Sequence, residues 1–154
     1  MSFSGPEKRK RLVWSMVTLA GVVIAAGLGT NAITGYLKSR DPIYQCIKDP
    51  SSQPFQISVP INVTQDGANM SVPAGIGISS DCTRPVHTLE PNVIHVAYGS
   101  AYNFTLGHFL YIWNIDLSKY QTKVYVDGSP YTQGSFLNLV LKSGQSIQIE
   151  FNKR

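Results

Sequence analysis

Charge is scarce in this chain, and it is missing altogether from one long stretch. Lys, Arg, Asp and Glu make up 14% of the residues, against roughly 25% in typical soluble proteins. Cysteine occurs twice and histidine three times. No Ser/His/Asp constellation, nucleotide-binding glycine loop or carboxylate pair stands out. The chain is therefore read as a non-enzyme, with no cofactor and no small-molecule substrate. Low charge combined with many Ser, Thr, Asn, Gln, Gly and Pro suits an extracytoplasmic β domain better than a cytosolic enzyme. The net charge of +4 carries no argument for nucleic-acid binding. Much of it is one run, Lys8, Arg9, Lys10 and Arg11, and the remainder is close to neutral.

That run stands directly before the uncharged stretch, residues 12–37. At 1.5 Å per residue, about 20 apolar residues cross a hydrocarbon core about 30 Å thick. The stretch is long enough to span with some tilt. Trp14 and Tyr36 lie near its ends, where amphipathic rings favour the headgroup level. The basic run outweighs Lys38 and Arg40 on the far side, so the positive-inside rule puts the N-terminus in the cytoplasm. A cleavable signal peptide is the competing reading, with a weak cleavage site at Thr30-Asn31-Ala32. The uncharged block exceeds the usual 7–15-residue apolar region of a signal peptide, which favours a retained anchor. Gly21, Ala25 and Gly29 are spaced by four and share one helix face. Small residues at that spacing allow close helix–helix packing in lipid.

The division that follows is a basic cytoplasmic tail over 1–11, a transmembrane helix over 12–37, a linker over 38–55 and a β-rich domain over 56–154. In that domain Ile57, Val59, Ile61 and Val63 alternate with polar or small residues, the pattern of a half-buried strand over 56–64. Gln65-Asp66-Gly67-Ala68-Asn69 reads as a turn to a return strand over 70–73. Another strand is expected over 93–97. Leu106, Phe109, Leu110 and Trp113 fall at helical spacing, with Thr105 as N-cap. Strands are then expected over 122–126, 137–141 and 146–151, with Asp127-Gly128 and Lys142-Ser143-Gly144-Gln145 as turns. In the last strand Ile147, Ile149 and Phe151 should face inward. The fold class is α+β, one short helix covering a small sheet. A β-grasp-like roll is the first topology and a small sandwich or barrel the second.

Cys46 and Cys82 both follow the apolar stretch, in the compartment where disulfides persist. A bridge between them is expected. Asn62, Asn69 and Asn103 each open an N-x-[ST] sequon, on the side assigned as external. The histidines are His87, His95 and His108. A metal site would draw on His87 and His95, with Cys82 or Glu90 nearby. Against it, His95 stands within an apolar strand and His108 on the expected solvent face of the helix. A bridged Cys82 is also lost as a thiolate ligand.

Several pieces occur in a characteristic order: Val72-Pro73-Ala74-Gly75-Ile76-Gly77-Ile78, Cys82, Val86-His87-Thr88, Ile94-His95-Val96, Phe104-Thr105-Leu106-Gly107-His108-Phe109 and Trp113. Val124-Tyr125-Val126-Asp127-Gly128 and the closing Leu141-Lys142-Ser143-Gly144-Gln145-Ser146-Ile147 continue it. This order resembles a family of membrane-anchored or exported prokaryotic domains, common in ammonia-oxidising archaea, for which no activity is established. The family pattern H-T-H-D is His87-Thr88-Leu89-Glu90 here, and I-H-V-E-S is Ile94-His95-Val96-Ala97-Tyr98. A second imidazole and a carboxylate are thus lost. The departures favour a scaffold role. The resemblance implies an archaeal membrane oxidase or the copper-dependent ammonia monooxygenase as host complex.

The resulting expectation is a non-catalytic accessory subunit. Its helix would sit in the lipid bilayer among other integral-membrane subunits, and its outer domain would brace a larger partner. The alternative is an extracytoplasmic copper-binding or carrier domain built on His87 and His95.

Overall fold

The computed structural model describes residues 40–154. The expected anchor and its Gly21, Ala25 and Gly29 face lie outside the described residues. Among those described, no helix is long and apolar enough to cross a membrane. Pro42–Arg154 folds as one unit, an α+β domain that is mostly strand with one α-helix. The unit reaches further back than residue 56. Single 3-10 turns form at Pro42–Tyr44 and Pro50–Ser52, and Ile43 is buried in the core.

The long first strand, β1 (Phe55–Gln65), organises the sheet. Its alternation buries Val59, Ile61 and Val63 and turns Ser58, Pro60 and Asn62 outward. The first half of β1 pairs antiparallel with β6 (Val93–Tyr98), and the second half pairs parallel with β9 (Ile147–Lys153). Pro60 is the last partner of β6, and Ile61 the first partner of β9. Proline has no N–H to give a ladder, so it falls where the strand changes neighbours. Asp66 and Gly67 take positive φ of 51° and 82°, the tight hairpin turn that Asp-Gly favours, leading into β2 (Ala68–Met70).

Three short strands follow. β3 (Ile78–Ser79) and β4 (Cys82–Thr83) form a separate two-stranded ribbon, and β5 (Val86–His87) pairs with β6. β7 (Tyr120–Val126) pairs with β9 and, through a second Asp-Gly turn, with β8 (Ser129–Pro130). The sheet order is β5-β6-β1-β9-β7-β8, with β2 alongside β1. In β9 Ile147, Ile149 and Phe151 are buried, as the alternation requires.

The helix α1 spans Leu106–Trp113. Thr105 caps it: its side chain accepts the His108 N–H, while His108 Nδ1 accepts the Thr105 N–H at 3.0 Å. This reciprocal pair satisfies two orphan donors. Asn114 ends the helix in the left-handed conformation, a common C-terminal signal. Leu106, Phe109 and Leu110 are buried against the sheet, and Phe109 and Trp113 rings meet at 5.6 Å.

The segment 137–141 does not form the expected strand. Phe136–Asn138 makes a 3-10 turn, and the backbone of Leu139 and Leu141 bonds to Leu106 and Phe104. The apolar run is real, since Leu139 and Leu141 are buried. Its hydrogen bonds go to the entrance of α1 rather than to the sheet.

Candidate functional site

His87 and His95 stand directly opposite each other in the β5–β6 pair. Ser58 is the partner of His95 on the other side, in β1. Alternation along β6 buries Ile94 and Val96 on one face and sends the Ser58, His95, His87 row to the other. The two imidazoles are nearly parallel, with interplanar angle 25° and centroids 6.1 Å apart. Both line a cleft of about 290 Å³, together with Ser51, Gln56, Ser58 and Leu89 among others.

The cleft has a buried inner end. His87 is 1% exposed, whereas the His95 side chain is 20% exposed. The segment before β3 walls in His87. Gly77 has φ of +77°, and a Cβ there would stand 2.7 Å from Val86 O and 3.2 Å from His87 Cβ. Only glycine allows this approach. Thr88, fully buried, ties the same segment down. Its hydroxyl donates to Pro73 O at 2.8 Å and accepts the Ile76 N–H at 2.9 Å.

The hydrogen bonds fix part of the protonation pattern. A carbonyl only accepts, so His87 Nδ1 carries a proton and donates to Arg84 O at 2.9 Å. In neutral His87 the Nε2 atom is then an acceptor. It is buried and has no hydrogen-bond partner. His95 Nδ1 lies 3.0 Å from Ser58 Oγ. Its Nε2 is likewise buried without a hydrogen bond, with Glu90 Oε1 approaching only to 3.5 Å. Burial holds His87 below the ordinary imidazole range, partly offset by the Arg84 carbonyl and reinforced by His95. His87 is therefore kept neutral, the form in which imidazole acts as an electron-pair donor.

The other residues named from sequence are dispersed. Cys46 and Cys82 are joined in a disulfide, so Cys82 offers no thiolate. His108 serves the helix cap, half-buried, and does not join the other histidines. Asn62, Asn69 and Asn103 are all exposed. Among the described residues, no three His, Cys, Asp or Glu side chains are already gathered around one point. Ser58 escaped the sequence because its place depends on the β1–β6 register, a non-local property. Alternation in β1 puts Ser58 on the outer face, and that is the signal available.

A second surface feature lies across β3, β4 and α1. Tyr111, on α1, is 60% exposed. Its ring meets Tyr44 edge-on at 6.0 Å, and the Arg84 guanidinium sits 5.9 Å from the Tyr44 ring centre. Ile78, 39% exposed, Arg84 and Tyr111 line one shallow cleft of about 410 Å³.

No family model matches this chain, and neither a curated protein nor a solved structure does.

Proposed function

We propose that this chain is a non-catalytic accessory subunit of a membrane complex. It would be anchored by residues 12–37, with its N-terminus cytoplasmic and its C-terminal domain outside the cell membrane. The carrying observation is Tyr111, a large aromatic residue held 60% exposed on a capped helix. Solvated tyrosines are ordinary singly; this one adjoins Tyr44, Arg84 and Ile78. Tyrosine and arginine are the residue types enriched at interface centres. The Cys46–Cys82 bridge fastens this face and suits an oxidising compartment. The parallel β1–β9 pair flanked by β2 and β7 supports the β-grasp-like topology. That scaffold presents α1 and the β3–β4 ribbon on one face.

The partner class is other integral-membrane subunits, in contact through the Gly21, Ala25 and Gly29 face and the Tyr111 face. The motif resemblance makes a membrane oxidase or ammonia monooxygenase the first complex to look for. A photo-crosslinking amino acid at position 111, activated in intact membranes, tests the docking face. The expected product is a discrete higher-mass adduct, absent when the crosslinker replaces exposed Lys123 instead. Equal labelling at both positions, or none at 111, would contradict it.

A further inference from the structure

Two buried imidazole nitrogens without hydrogen-bond partners, on side chains that line one cleft, are placed to receive an electron-pair acceptor. We propose that His87 and His95 bind one divalent d-block cation, copper(II) or zinc, through their Nε2 atoms, with the Glu90 carboxylate swinging in as third ligand.

His87 is arranged as a metal ligand is in proteins, and His95 has a partner that allows the same arrangement. A ligating histidine almost always gives its other ring N–H to a carbonyl, carboxylate or comparable group, which fixes the tautomer and the ring orientation. His87 does this toward Arg84 O at 2.9 Å. His95 has Ser58 Oγ 3.0 Å from Nδ1; in the tautomer whose Nδ1 donates to that hydroxyl, the Nε2 lone pair is left for a ligand. Both Nε2 atoms are buried and have no hydrogen-bond partner, an unfavourable state for a polar atom removed from water. The cross-strand register holds the rings side by side in the same cleft. Glu90 supplies negative charge 3.5 Å from His95 Nε2, and its side chain is 64% exposed, so it can reorient without disturbing the core.

The donor set selects the cation. Calcium and magnesium take oxygen ligands, whereas imidazole suits copper, zinc, nickel and iron. Copper(II) stands highest in the affinity order for such sites. The competing occupant is a water molecule donating to one of the nitrogens, which the same lone pairs would also accept.

The test uses the full chain with a histidine-free C-terminal tag, purified in mild detergent and stripped with EDTA. The protein is dialysed against copper(II) or zinc, and metal is counted per chain. The expected result is one equivalent retained, copper(II) more tightly than zinc, with nitrogen hyperfine structure in the copper spectrum. His95→Ala should abolish retention and Glu90→Gln should weaken it. Ser58→Ala should lower affinity about 10–100-fold, as loss of an orienting partner does. If His87→Ala does not fold, His95→Ala decides, since its ring lies at the cleft mouth. Wild-type protein that retains no metal, as a water-filled cleft would give, overturns the proposal. So does a folded His95→Ala variant that keeps its equivalent.

Discussion

At the residue scale, His87 concentrates the tension in this domain. It is an ionisable side chain sealed to 1% exposure, anchored by one hydrogen bond and lacking a second. Burial, more than any neighbour, lowers its proton affinity below the ordinary value of 6.5. The sign of the pH effect follows. Below about 6.5 an unfolded chain takes up a proton on this residue, while the folded chain still resists it. Stability contributed by neutral His87 is therefore complete above that pH and is lost as pH falls toward the folded value. Urea unfolding of chelator-treated protein should give a midpoint that falls as pH drops from 7 to 5. His87→Gln should flatten the dependence. A midpoint flat over that range in the wild type would show that His87 titrates normally.

At the scale of elements, α1 shows how packing overrides propensity. Gly107 sits inside the helix, where alanine is ordinarily favoured by about 1 kcal/mol. A Cβ at 107 would come within 2.5 Å of Leu137 O, a backbone atom that cannot rotate aside. The clash should win, and Gly107→Ala should destabilise by about 1–3 kcal/mol, the usual cost of overpacking. Thermal unfolding measures this, and an unchanged or raised Tm would show that residues 136–139 yield freely. β1, β6, β9 and α1 could be read because their period-two or helical patterns are local. Thr105 was legible as the cap, although His108 as its reciprocal partner was not. The run 137–141 looks like a strand because Leu139 and Leu141 are buried. Only the three-dimensional proximity of Gly107 reveals that it follows the helix instead. β3, β4, β5 and β8 are two residues each, too short to carry any period.

Non-local register also decides how much of the site could be read. His87 and His95 are visible as a spaced pair in the sequence, but nothing local places them face to face. That follows from the β5–β6 pairing, which brings together residues eight apart. Asn92, just before β6, has φ of 61°, and its side chain accepts the Val72 N–H at 2.8 Å. Its backbone also bonds to Val72 and Ile61, tying the start of β6 to β1 and to the segment after β2.

On the scale of the whole molecule, the disulfide closes a loop across a sequence separation of 36. A loop of this size implies roughly 3–4 kcal/mol in the chain-entropy model. The bridge joins the start of the domain to the β3–β4 ribbon, which belongs to no larger sheet. Reduction, or the Cys46→Ser/Cys82→Ser pair, should lower the unfolding free energy by about that amount. Hydrogen exchange should rise first in residues 42–52 and 78–84. Uniform loss of protection across β1 and β9 instead would mean that the bridge supports the entire core.

The proposed role makes the domain the outer part of a membrane-complex subunit. Native purification from membranes through a C-terminal tag, followed by mass spectrometry of the co-purifying proteins, tests it most directly. The expected result is a fixed set of integral-membrane subunits in constant ratio, retained by wild-type protein and depleted by Tyr111→Glu. Recovery of this chain alone, at the size of a detergent-bound monomer, would contradict that role.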